Sequence, residues 1–356
     1  MNEKRNIANE KIKRILVIRF RRVGDAVISS VLCSSLKKTF PDASIDYVLN
    51  KPIAPLFEHH PAIDHLITFE DQDMASLPTY TKKVRNIMRT GNYDMIVDSR
   101  STIKTLWFSL FSLHTPYRLG KKKWYNWFLH NYRTDVEGVV DEVTKTLRLL
   151  QPLEKKFKVT YDRDFKLFYT PSEKQDFAQY MHHQGIDFDK PVIVCAVATR
   201  VPHKAWDMLR MKEILFRILD HADVQLVFNY AGEAEMKQAR QLHEEMNNHP
   251  AVFTNIEAKN LRELIALIAN SSFFFGNEGG PRHIAQALDI PTFAIYPPQI
   301  DKAEWLPNAS ERFQGVEPQD IVPDINQQQI SYQEKFAVVS VEEVWARLST
   351  MLEKVK

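Results

Sequence analysis

Residues 273–297 bring together a carboxylate (Glu278), two glycines (Gly279, Gly280), a proline suited to a first helical turn (Pro281) and an imidazole (His283) between two apolar runs. This is the pattern of a strand, a turn, a helix start and a second strand. Free amides at such a helix start favour an anion, and adjacent glycines let a ligand approach the backbone closely. Three further loops have the same setting. Residues 19–25 (Arg-Phe-Arg-Arg-Val-Gly-Asp) end on Asp25, which suits either a general base or a helix-opening acid. Beside it, Arg21 and Arg22 suit an anionic acceptor or open solvent. Residues 198–206 carry Thr199, Arg200 and Lys204, a basic loop suited to a diphosphate or to open solvent. Residues 230–235 (Tyr-Ala-Gly-Glu-Ala-Glu) offer Glu233 and Glu235 to a helix dipole or to ribose hydroxyls.

The elements that must position these groups follow a β-α-β rhythm. Apolar, β-rich runs are expected at residues 14–20, 45–49, 65–69 and 93–98, with a helix over 25–40. A second series of strands is expected at 192–198, 224–230, 251–256, 273–275 and 292–296, separated by helices over 208–220, 233–247, 261–269 and 281–288. The capping-box spacing of Ser340 and Glu343 opens a last amphipathic helix to residue 355. The weakest periodicity, between 151 and 190, marks a junction. The reading is therefore α/β with two Rossmann-like β/α/β domains: residues 1–165, residues 166–335 and a C-terminal helix over 336–356. Only ten glycines occur, and Gly24, Gly232, Gly276, Gly279 and Gly280 all follow expected strands, where open α/β sheets bind ligands.

Composition narrows the classes. With 47 Lys plus Arg against 45 Asp plus Glu, the net charge of +2 offers no general attraction for nucleic acid. Two remote cysteines, Cys33 and Cys195, argue against a disulfide framework and for a reducing cytoplasm. No window is apolar enough to span a bilayer, and the N-terminus lacks the form of a signal peptide. The triplets Asp71-Gln-Asp73 and Asp162-Arg-Asp164 mimic an Asp-x-Asp metal motif but are expected by chance in a chain with 45 acidic residues, and neither His59-His60 nor His182-His183 has zinc-ligand spacing. No metal or other cofactor is expected. Residues 117–133 interleave Lys121, Lys122 and Lys123 with aromatic rings, a composition suited to anionic lipid or a phosphorylated acceptor, or to a solvated loop.

Taken together, residues 19–25, Lys204-Ala-Trp206, the Gly-Glu-Ala-Glu turn and residues 278–288 resemble glycosyltransferase family 9, the ADP-heptose:lipopolysaccharide heptosyltransferases. The most specific part is the last, where the family usually has Asp-Thr/Ser-Gly-Pro-x-His-x-Ala-x-Ala followed by a Pro-Thr strand. The resemblance spans roughly residues 12 to 300 and implies a GT-B fold, with the acceptor on the N-terminal domain and a nucleotide-sugar on the C-terminal one, facing across a cleft. It implies an inverting, metal-independent transfer of a heptose-like sugar to a lipopolysaccharide core or related glycan, at the inner face of the inner membrane. It makes Asp25 the base, Lys204 the phosphate contact with Thr199 and Arg200 beside it, and Glu235 the ribose partner. His283 either orients Glu278 or a phosphate, or packs its helix. Arg19 stands where the family has lysine, Glu278 where it has the aspartate that contacts the donor sugar, and Gly279 where it has a hydroxyl residue. An epimerase acting on sugar-nucleotides and a non-catalytic nucleotide-binding protein are the alternatives.

Overall fold

The computed structural model describes residues 12–20 and 22–355, and these divide into two units at Lys166 and Leu167. Unit 1 contains a six-stranded parallel sheet: β1 (Arg14–Ile18), β2 (Ser44–Asn50), β3 (His65–Phe69), β4 (Met95–Asp98), β5 (Tyr117–Lys121) and β6 (Tyr132–Thr134), in the order β3-β2-β1-β4-β5-β6. Unit 2 repeats the plan with β7 (Val192–Ala196), β8 (Gln225–Phe228), β9 (Val252–Phe253), β10 (Phe273–Asn277), β11 (Thr292–Ile295) and β12 (Phe313–Val316), in the order β12-β11-β10-β7-β8-β9. Each order reverses beside the unit's first strand, between β1 and β4 and between β7 and β10. Ligands of open parallel sheets bind at that reversal, beyond the carboxyl ends of the strands.

Burial explains why these runs become strands. β1, β4 and β7 are buried on both faces, as central strands of a helix-covered parallel sheet must be, so they read as continuous apolar runs rather than alternating ones. The core of unit 2 also receives Val341, Val344, Leu348, Met351 and Leu352 from the helix Val341–Leu352. Ser340 caps that helix by accepting from the Glu343 amide, so the C-terminal helix is an integral part of the unit's core.

The structure differs from the sequence reading at a split helix, three further strands and one glycine. The helix expected over 25–40 is two, Val23–Ser29 and Val31–Thr39, because the Ser30 hydroxyl bonds the Val27 carbonyl at 2.7 Å and competes with the helical ladder. Strands β5, β6 and β12 were absent from that reading: β5 hides its period behind Arg118, Gly120 and Lys121, while β6 is three residues long and β12 carries only two apolar residues. Gly276 lies within β10 rather than after it. Its φ is 131°, and a Cβ there would stand 2.4 Å from the Ala196 carbonyl oxygen, so the residue is needed for the approach of β10 to β7. Both cysteines are buried free thiols whose pKa values burial pushes up.

Candidate active site

In unit 1, the chain leaving β1 turns at Arg19 into the helix Val23–Ser29, with Asp25 in its first turn. The Arg19 guanidinium is buried and donates to Asp25 Oδ1 at 2.6 Å, while the same nitrogen reaches Glu142 Oε1 at 3.4 Å. One fixed cation thus holds two carboxylates, and no described residue bonds Asp25 Oδ2. Glu142 comes from the first turn of the helix Glu142–Leu147, whose cap is Asp141 accepting from the Thr144 amide at 2.8 Å. Nothing in the sequence pointed to Glu142, since 123 residues separate it from Arg19.

Lys121, at the carboxyl end of β5, belongs to the same cluster. Burial lowers its pKa, Glu142 opposes the shift, and Arg19, Lys145 and Lys123 add to it. The three neighbouring lysines therefore separate: Lys121 is half-buried and within electrostatic reach of Arg19 and Glu142, whereas Lys122 and Lys123 are exposed. Arg22 is exposed at the helix start, and Arg21 lies outside the described residues. Beneath Lys121, its amide donates to Ser101 Oγ, and Ser101 and Arg100 donate their amides to the buried Asp98 Oδ1. Asp98 Oδ2 stands 3.7 Å from Nε2 of His130, equally buried, whose pKa is lowered by burial against the pull of Asp98. Gly120 gives His130 its room, since a Cβ there would lie 2.2 Å from Nδ1. These residues were also missed, because only the pairing of β4 with β5 brings them together.

In unit 2, the loop after β7 and the motif after β10 are locked by Asn277. Its side chain donates to the Ala196 and Val197 carbonyls at 3.0 and 3.1 Å and accepts the Trp206 amide at 2.7 Å. A polar residue closing the apolar run of β10 was the signal for it. Glu278 follows, its carboxylate 3.4 Å from His283 Nε2. Burial would raise the Glu278 pKa, but His283, Arg282 and Lys204 together bring it below the usual value. Lys204 and Glu278 are thus close enough to act on each other, although 74 positions apart in the sequence. Arg282 is fully buried and donates to the Gln286 side chain and the Trp305 carbonyl, tying the helix Gly280–Ala287 to the chain that follows β11.

Other expected ligands have local duties. The Thr199 hydroxyl donates to the Val201 carbonyl at 2.7 Å and closes its own loop, leaving Arg200 exposed. Glu235 Oε2 accepts the Ala231 amide at 2.9 Å and so caps the helix Gly232–Glu245. Gly279 is extended, and a Cβ there would meet only the Pro281 ring at 3.8 Å, so the hydroxyl side chain usual in the resembled family has room. Asp73 accepts from the Glu70 amide and pairs with Lys83 at 2.6 Å, and Asp162 pairs with Lys38 at 2.8 Å, so both acidic triplets serve the fold.

The sequence signature of Glycosyltransferase family 9 (heptosyltransferase) matches residues 81–314, about two thirds of the chain, and so includes β4 through β11 and the start of β12. The chain is a member of glycosyltransferase family 9. This family 9 protein is 21% identical over 304 residues to lipopolysaccharide heptosyltransferase 3 of Escherichia coli, covering 82% of this chain and 85% of the relative. Its fold resembles a glycosyl transferase family 9 protein from Veillonella parvula with a TM-score of 0.80 at 19% identity, over 96% of this chain and 98% of that one. It also resembles the E. coli ADP-heptose lps heptosyltransferase II, with a TM-score of 0.73 at 19% identity over 96% and 99% of the two chains. The two Rossmann-like units of this glycosyltransferase are thus those of a GT-B protein. No described helix is long and apolar enough to cross a membrane.

Proposed function

We propose that this family 9 glycosyltransferase moves a heptose-like sugar from a nucleotide-sugar of the ADP-heptose kind to a lipopolysaccharide core or related lipid-linked glycan, with inversion and without a metal. The observation that carries the reading is the carboxylate of Asp25, fixed through one oxygen by Arg19 at 2.6 Å at the strand-order reversal of unit 1. Asp25 Oδ2 takes the proton of an acceptor hydroxyl as that oxygen bonds to the anomeric carbon from the face opposite the nucleotide. The bond from the anomeric carbon to the diphosphate oxygen breaks, and the departing diphosphate carries away its electron pair. Lys204, Arg200 and the amides at the start of the helix Gly280–Ala287 take up its negative charge, which is the work a divalent cation does in other transferases.

Glu278, ionised beside His283, accepts from hydroxyls of the transferred sugar. The oxygen of Glu235 not committed to the Ala231 amide accepts from the ribose. Arg22 and Lys121 bind an anionic group of the acceptor, together with Arg21, the residue before Arg22 in the sequence. The names of the relatives support the donor and acceptor classes. Glu278 adds a methylene where the family has aspartate and Gly279 lacks the family's hydroxyl, so the sugar accepted differs in fit at that end.

The test is incubation with a panel of nucleotide-sugars, including ADP-heptose, and a deacylated lipopolysaccharide core, read by mass spectrometry with and without a chelator. A mass gain of one heptose on the acceptor, undiminished by chelator, is expected. Conversion of donor to an isomer without any acceptor would instead make the protein an epimerase. No mass gain with any donor would remove the transfer reading.

A further inference from the structure

The surface that carries Lys122 and Lys123 is built to meet something apolar and anionic. From residue 99 to residue 134 the chain contains no Asp or Glu, yet seven Lys and Arg. Within that span the loop joining β5 to β6 turns three large rings outward: Trp124 is 88% exposed, Trp127 68% and Phe128 49%. Three neighbouring aromatic side chains this open are unusual on a soluble surface, where large rings are normally covered.

The loop is not slack. Buried Asn126 donates to the Lys121 carbonyl at 2.9 Å and accepts the Lys123 amide at 3.1 Å, Leu129 and His130 are buried, and the Tyr125 hydroxyl donates to the Ser101 carbonyl at 3.0 Å. Those bonds hold the rings out at little further entropic cost on insertion. The Tyr125 bond sets the loop beside the start of the helix Ile103–Leu110, where Ile103 is exposed. The Arg118 guanidinium donates to both the Leu129 and Leu113 carbonyls, bringing exposed Leu113 to the same patch.

We infer that this loop is a membrane wedge: Trp124, Trp127 and Phe128 enter the interfacial layer of an anionic bilayer while Lys122 and Lys123 meet its headgroups. Lys121, one residue before Lys122, is half-buried and within electrostatic reach of Arg19 and Glu142, so a single segment serves the bilayer and the candidate site. The inference rests on the reading of a lipid-linked acceptor.

Cosedimentation with vesicles of phosphatidylcholine containing about a third phosphatidylglycerol tests it. The full chain pellets with these vesicles in low salt and far less with pure phosphatidylcholine. Lys122→Ala with Lys123→Ala weakens the partition roughly 20- to 30-fold, from about 1 kcal/mol per lysine at an anionic surface. Trp124→Ala with Trp127→Ala weakens it at least as much, slows transfer to a vesicle-borne acceptor, and leaves transfer to the deacylated core unchanged. Absence from the anionic pellet, equal binding to neutral vesicles, or a tryptophan variant that binds like the parent overturns the inference. So does a dimer in sedimentation velocity that the tryptophan variant dissolves while vesicles stay unbound, which would make the patch a contact between copies. Failure of transfer to the deacylated core by the parent protein would strike the transferase reading alone.

Discussion

At the residue scale, the chemistry depends on how few freedoms are left to each charged group. Asp25 has one oxygen committed to Arg19, so Asp25→Asn keeps the side chain's size while removing the proposed base. Turnover should fall by roughly 10²–10⁴, with donor affinity measured by calorimetry nearly unchanged. Glu142→Gln only loosens Arg19 and should cost about tenfold, a ranking that steady-state kinetics resolves. Because burial lowers the Lys121 pKa, its charge is lost at a lower pH than that of an ordinary lysine. The acceptor KM should therefore rise on the alkaline side, and Lys121→Arg should flatten that limb of the pH profile. An unaltered limb would show that Lys121 does not bind the acceptor.

At the element scale, two neighbouring glycines have opposite tolerances. Gly276→Ala meets both a left-handed backbone and the Ala196 carbonyl, and should lose more than about 2 kcal/mol of stability in a denaturant titration. Gly279→Ala meets neither and should stay within about 0.5 kcal/mol of the parent. Helix-to-helix attachment in unit 2 depends on acid. Glu173, capping the helix Pro171–His183, is bonded by Arg262 of the helix Leu261–Ala269, and chiefly for that reason its pKa falls from 4.5 to about 2. A depressed carboxylate stabilises the fold above its unfolded pKa and loses that contribution as pH drops through the folded one. Thermal melts from about pH 5, just above the unfolded value of 4.5, down to about 2 should show a loss on the order of 1–2 kcal/mol after solvent screening, absent in Glu173→Gln.

At the scale of the whole molecule, the C-terminal helix decides whether unit 2 exists. Val341, Val344, Leu348, Met351 and Leu352 are all in its core, and their burial is worth on the order of 10 kcal/mol, as much as a typical domain's entire stability. A chain ending at Ser340 should lose nucleotide binding and become protease-sensitive from Leu167 onward, while unit 1 survives digestion. Survival of unit 2 in that truncation would mean its sheet holds without the helix.

Much of this was legible along the chain. Central strands buried on both faces announce themselves as apolar runs, and the loops that follow them carry Asp25, Lys204 and Glu278 in local patterns, so the β/α plan, the family and most of the candidate groups follow from residue order. The capping pair Ser340 and Glu343 likewise marked the last helix. What residue order left open were the partnerships. Arg19 with Glu142, Lys204 with Glu278, and Asp98 with His130 join residues brought together by strand order, and strand order is decided by how twelve strands pair rather than by any one of them. The three lysines 121–123 make the same point, for nothing in a run of like charges states which will be enclosed. That was decided when β5 paired with β4 and its terminal lysine became half-buried within electrostatic reach of Arg19 and Glu142, because burial belongs to surfaces in contact and not to sequence.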